Sequence, residues 1–217
     1  MDIDGPDTAG GRLAIVAYSD YVCPWCYIGL ERIERLQREF PVDVTWRPFE
    51  LHPETPRTGA QFQGLLGGRE RARAYRENIQ MLAQESGITL RQPAVIANSH
   101  LALEAAEFAR ETGRFETYHR TLFRAYFEEG LDIGDAEVLC DLARRCGLSD
   151  QHLRHALGYG TYAEAVDRAT AEARAGEVHG APTYIFSGGF RLAGAQDYQV
   201  FASVTRRLIA RRADTPS

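Results

Sequence analysis

The 217-residue sequence predicts an α/β fold, a βαβ-ββα domain interrupted by a large all-helical insertion. Three observations carry this. An apolar, β-branched run near the N-terminus leads into a helical pattern and a second strand. A long central stretch keeps helical periodicity and shows almost no strand pattern. The strand signal then returns late, as a hairpin, before a last helix.

The elements follow in order. Residues 12–18 read as a buried strand. Residues 27–40 place Ile28, Leu30, Ile33, Leu36 and Phe40 at helical spacing, with Pro24 suited to the first turn and Pro41 ending the run. Residues 42–48 alternate as a second strand, and the prolines of residues 50–58 mark an irregular connection. Helices are expected over 69–86, 99–111, 115–128, 135–146, 149–157 and 162–175, with Ser99 as an N-cap. Residues 183–186 and 190–193 flank a Ser-Gly-Gly turn as a hairpin. A helix over 197–211 closes the chain, ahead of a tail expected to fray. The predicted units are a discontinuous domain of residues 12–58 and 178–212 and a helical insertion of residues 59–177.

Composition excludes several functions. The formal net charge is −5 and no basic patch dominates, so the electrostatic basis for nucleic-acid binding is missing. All 25 basic residues are arginine. Without lysine there is no Schiff-base lysine and no P-loop. No run of about 18 apolar residues suggests a membrane span. The N-terminus is polar and acidic without an apolar core, so no secretory signal is read there and a cytoplasmic location is expected. Four cysteines do not make a disulfide scaffold; in a reducing compartment a close pair reads as redox-active or metal-binding.

That pair is Cys23-Pro24-Trp25-Cys26, at the junction of the first strand and helix. Cysteines at i and i+3 on a first helical turn supply what disulfide exchange needs. The first sits where free N–H groups and the helix dipole favour its thiolate. The second lies one turn on, within disulfide reach. Cys23 is therefore the expected nucleophile and Cys26 the resolving thiol. Pro24 stiffens the turn, and Trp25 offers an apolar contact to substrate. Zinc is disfavoured. The other cysteines, Cys140 and Cys146, would be rotated by about 120° on one helix, and the histidines show no ligand spacing, so no metal is expected. Cys140 and Cys146 remain either a second redox pair or, the preferred reading, structural residues. Asp20 either exchanges protons with the resolving thiol or, more simply, caps a turn. His179 reads as a solvated loop residue. Gly180-Ala181-Pro182-Thr183 places a proline just before a strand, where it is either cis or an ordinary trans opening.

Cys-Pro-Trp-Cys after strand one, paired with Gly-Ala-Pro-Thr before a late hairpin, resembles the thioredoxin superfamily. The helical insertion makes the chain similar to its DsbA-like family. The strings Asp20–Gly29, Arg47–Leu51 and Leu192–Gln196 resemble the FrnE-like branch. The resemblance implies a thioredoxin-like domain with a cis Ala181–Pro182 bond against the dithiol. It also implies that Ala181 pairs its backbone with an extended substrate, with Pro182 beside it and Gly180 as part of the motif. Periplasmic relatives carry a histidine between the cysteines. Trp25 cannot supply that positive charge, so a less stabilised thiolate and a less oxidising disulfide are expected. The implied function is a reductase or isomerase acting on disulfides of proteins or small molecules. It needs a thiol reductant and no bound cofactor, with glutathione a possible co-substrate. The alternative is a glutathione-dependent enzyme of the 2-hydroxychromene-2-carboxylate isomerase and kappa transferase type. Those relatives place a serine where Cys23 stands.

Overall fold

The computed structural model of the chain describes residues 11–61, 68–91, 93 and 95–213. The polar N-terminal segment of residues 1–10 and the tail 214–217, expected to fray, lie outside them.

Strand β1 (Leu13–Ser19) alternates as a two-sided strand must. Leu13, Ile15 and Ala17 enter the main core with Ile28, Ile33, Leu36 and Phe201. Val16 and Tyr18 turn to the other face and pack with Phe49, Ala173, Val178 and Ile185. Helix α1 (Pro24–Glu39) starts on Cys23 with proline in its first turn and stops at Phe40, before Pro41. Strand β2 (Val42–Pro48) returns parallel to β1, from Leu13↔Val42 to Ser19↔Pro48. Late in the chain, β5 (Thr183–Phe186) pairs antiparallel to β1, and β6 (Arg191–Ala193) antiparallel to β5. The sheet order is β2-β1-β5-β6. β5 is buried at all four residues because it is central and covered on both faces. Helix α8 (Tyr198–Ala213) closes the fold, with Phe201 edge-on to Tyr184 at 4.9 Å. The strand–helix–strand, hairpin and final helix expected from sequence are all present.

The intervening chain is mostly helical: α2 (Arg69–Glu85), α3 (His100–Glu111), α4 (Phe115–Arg124), α5 (Ala136–Arg145), α6 (Asp150–Tyr159) and α7 (Ala163–Ala175). α4 continues into a π-helical turn, Ala125–Glu129. Asp135 caps α5 and Ser149 caps α6 through their side chains. This region docks on α1 through aromatic faces. Tyr27 stacks on Phe123 at 5.4 Å and on Phe127 at 5.9 Å. Arg120 of α4 reaches Glu31 and Glu34 of α1. Among the described residues no helix is long and apolar enough to cross a membrane.

Two local expectations are corrected. A two-stranded sheet, β3 (Ala60–Gln61) with β4 (Val95–Ile96), lies in the stretch read as nearly strandless. Two-residue strands are too short to leave a periodic signal. Ser99 occupies the N-cap of α3 but makes no capping bond. Asn98 Oδ1 accepts the His100 N–H at 3.1 Å instead, and the Ser99 hydroxyl lies near Asp20.

Candidate active site

β1 ends at Ser19, and a turn closed by Cys23 N–H to the Asp20 carbonyl at 3.2 Å delivers Cys23 to the start of α1. Cys23 is the N-cap, with extended backbone (φ −92°, ψ 111°), and its carbonyl accepts from Cys26 and Tyr27. Its side chain therefore stands at the helix end, where amide groups lack helical partners. Cys23 is 5% exposed and Cys26 fully buried. Burial pushes the Cys26 thiol well above its ordinary range, and the adjacent Cys23 sulfur adds to this. The Asp20 backbone and the Ser19 hydroxyl, both nearby, oppose the shift. The two cysteines are thus unequal, one near the surface and one held as a thiol inside.

The Ala181–Pro182 bond is cis. It lies against the dithiol, where the Cys23 thiol donates to the Ala181 carbonyl at 3.4 Å. Thr183 Oγ1 donates to the Gly180 carbonyl at 2.7 Å and holds the loop shape. Behind it α1 and β5 meet closely. A Cβ on Gly29 would lie 2.0 Å from Tyr184 Oη and 3.6 Å from Pro182 Cγ, so glycine is required there. Trp25 is half-buried and meets Tyr75 of α2 edge-on at 6.2 Å. Beside Pro24, the residues Val22, Tyr75, Ile96 and Phe127 line a small apolar pocket.

The quoted strings acquire structural jobs. The Asp20 carboxylate accepts from Leu51 N–H at 2.8 Å and Val22 N–H at 3.3 Å, with the Ser99 hydroxyl near it. It ties the turn before Cys23 to the chain after β2 and to the start of α3. Burial raises its pKa to about 6 against those hydrogen bonds. Its carboxylate caps the turn. Arg32 of α1 donates to the Ala195 and Gln196 carbonyls and pins the loop after β6.

One site-forming pair escaped the sequence analysis. Tyr21, two residues before Cys23, hydrogen-bonds His119 Nδ1 of α4 at 2.7 Å, and both are buried. Burial drives His119 down to about 3, so it is neutral, and its Nε2 has no partner. Its place inside an aromatic helix pattern, 98 residues from Tyr21, gave no signal. Cys140 is buried in α5, and Cys146, at the end of α5, donates to Thr121 Oγ1 at 3.3 Å. All four cysteines are thiols. His179 is exposed, and His100 faces Glu50.

Comparison with known proteins gives the same answer as the geometry. A protein-family profile described as a DSBA-like thioredoxin domain matches residues 14–205. An uncharacterised Bacillus subtilis protein, YwbO, is 31% identical over 191 residues, covering 86% of this chain and 92% of its own length. The crystal structure of a probable DsbA oxidoreductase from Streptomyces coelicolor superposes with a TM-score of 0.86 at 27% identity, covering 95% of this chain and 93% of that one. A 2-hydroxychromene-2-carboxylate isomerase shares the fold, with a TM-score of 0.77 at 21% identity over 94% of this chain and 100% of that one. With its Cys-Pro-Trp-Cys at the start of α1 and a cis proline beside it, the chain belongs to the DSBA-like thioredoxin domain family.

Proposed function

We propose that the protein is a thiol–disulfide oxidoreductase that works as a reductase or isomerase on disulfides of proteins, peptides or small molecules. The observation that carries this is the Cys23 sulfur at the start of α1, beside the Ala181 backbone, with Cys26 buried one turn behind.

The steps balance as two-electron exchange. The Cys23 thiolate attacks one sulfur of the substrate disulfide. That S–S bond breaks, a substrate thiolate leaves and takes up a proton, and a mixed disulfide forms on Cys23. Cys26 then loses its proton and attacks Cys23 Sγ. The Cys23–Cys26 disulfide forms and the second substrate thiol departs. A thiol reductant, with glutathione a suitable class, returns the dithiol. In isomerisation the substrate's own thiol attacks the mixed disulfide instead, and no net electrons move.

A backbone strand pairing at Ala181 brings a target sulfur to Cys23. The lack of a cationic side chain between the cysteines supports a reducing rather than a strongly oxidising role. The contacts made by Asp20, Leu51, Arg32, Ala195 and Gln196 support the FrnE-like branch, since they give its strings a shared structural purpose.

Insulin disulfide reduction, followed by turbidity with a thiol reductant, tests the reading. Wild type should accelerate precipitation, and the Cys23→Ser/Cys26→Ser protein should not. Equal inactivity of both overturns it for protein disulfides. A glutathione-dependent isomerase activity that survives both serine substitutions would favour the isomerase family instead.

A further inference from the structure

We propose that Glu50, His100 and Asp167 form a binding site for a divalent first-row transition-metal ion, with Glu104 orienting the imidazole from behind. The site joins three elements: the chain just after β2, the first residue of α3, and α7.

Each of Glu50, His100 and Asp167 offers one ligand atom, and these atoms all lie within 4.8 Å of one another. An ion bound at about 2.0–2.2 Å to nitrogen and oxygen spans ligands up to about 4.4 Å apart. Rotation of the exposed Asp167 side chain closes the remaining difference. The backbone is already arranged for this. The Glu50 N–H donates to Thr170 Oγ1 and its carbonyl accepts from Arg174, both at 3.1 Å. Thr170 and Arg174 lie three and seven residues beyond Asp167, on the same face of α7. That face is therefore laid over Glu50, with Asp167 one turn earlier.

A second, independent observation is the buried carboxylate behind the histidine. Glu104 is 2% exposed, and its Oε2 has no hydrogen-bond partner. It sits one turn along α3, with Oε1 3.7 Å from His100 Nε2, while His100 Nδ1 is 3.1 Å from Glu50 Oε2. Each ring nitrogen thus faces a buried carboxylate. An ion on Nδ1 takes the place of a proton there. The Nε2–H is then turned to Glu104, the carboxylate–imidazole–metal arrangement that fixes a ligand's tautomer and orientation.

Charge points the same way. Among the described residues no arginine pairs with the carboxylates of Glu50, Glu104 or Asp167; Arg57 acts on Glu104 only at longer range, and Arg174 is spent on a backbone carbonyl. Two buried carboxylates and a third at the rim surround one imidazole, so at most one positive charge faces three negative ones. One nitrogen with carboxylate oxygens suits Mn²⁺, Fe²⁺, Co²⁺ or Zn²⁺ over the all-oxygen preference of Mg²⁺ and Ca²⁺. The ligands are spread over residues 50, 100 and 167, which is why sequence spacing predicted no metal.

The test is a titration of the chelator-treated full chain with Mn²⁺, reading free ion by electron paramagnetic resonance, followed by Zn²⁺ competition. One Mn²⁺ per chain should bind saturably and be displaced by Zn²⁺. Asp167→Asn and His100→Ala should each weaken binding by at least about 10-fold, and Cys23→Ser/Cys26→Ser should leave it unchanged. Asp167 is exposed, so its variant keeps the fold, which circular dichroism verifies. Two results overturn the proposal. One is saturable binding neither of Mn²⁺ nor of Zn²⁺, the latter titrated on oxidised protein whose dithiol is closed. The other is binding that survives both substitutions.

Discussion

The Cys23 thiol donates its hydrogen bond to the carbonyl of Ala181, 158 residues away in the chain, at 3.4 Å. This contact sets the proposed nucleophile beside the backbone proposed to pair with a substrate strand. When Cys23 loses its proton the donor disappears, and the Ala181 carbonyl is released to accept from a substrate N–H.

The difference in burial between the two cysteines predicts unequal chemistry. Cys26→Ser should accumulate a mixed disulfide through Cys23, seen as a mass increase that dithiothreitol reverses. Cys23→Ser should trap no substrate, because Cys26 is fully buried and held as a thiol. Iodoacetamide under native conditions should label Cys23 first, and label Cys26 only after unfolding. Preferential labelling of Cys26 would contradict the assignment.

Gly29 marks the close approach of α1 to β5. Gly29→Ala places a methyl group 2.0 Å from Tyr184 Oη, and Tyr184 is fully buried with no room to swing aside. The helix or the strand must move, at a cost of about 1–3 kcal/mol, and insulin reduction should fall because Pro182 lies on the same contact. Urea unfolding measures the first effect. A variant as stable and as active as wild type would show that the contact gives freely.

His119 makes stability depend on acid. Its pKa falls from 6.5 in the unfolded chain to about 3 when buried. The unfolded chain binds the extra proton, so this contribution is complete above pH 6.5 and is lost as pH falls toward 3. The full span is on the order of 5 kcal/mol at most. His119→Phe should lower stability at pH 7 by leaving the Tyr21 hydroxyl without its partner. Its unfolding midpoint should then change less than wild type between pH 6.5 and 4.

Asp20 has the opposite sign. Burial raises its pKa from 3.8 to about 6, so the folded protein binds the proton more tightly. Its contribution is complete below pH 3.8 and is lost as pH rises through 6, over a span on the order of 3 kcal/mol. Asp20→Asn keeps an oxygen for the Leu51 N–H but cannot titrate. Its stability should decline more steeply than wild type as pH falls from 6.5 to 4, because the offsetting term is gone. Chemical denaturation across that range gives the comparison.

The sequence by itself determined the elements and the chemistry carried by adjacent residues. Alternation in β1, helical spacing in α1 and the hairpin at 183–193 are local patterns, and an i, i+3 cysteine pair at a strand–helix junction is legible because its partners are neighbours in the chain. The helices of the insertion were equally readable from their periodicity and breakers, although the two-residue β3 and β4 left no pattern to read. Tertiary structure alone decided what depends on contacts between distant residues. It made the Ala181–Pro182 bond cis and set Ala181 beside Cys23. It buried Tyr21 against His119 and Asp20 against Leu51 and Ser99. It also gathered Glu50, His100 and Asp167 from three elements. The physical reason is common to all of these. Periodicity reports which face of an element is buried. Only packing decides which side chain meets it there, and burial against that neighbour then sets its charge.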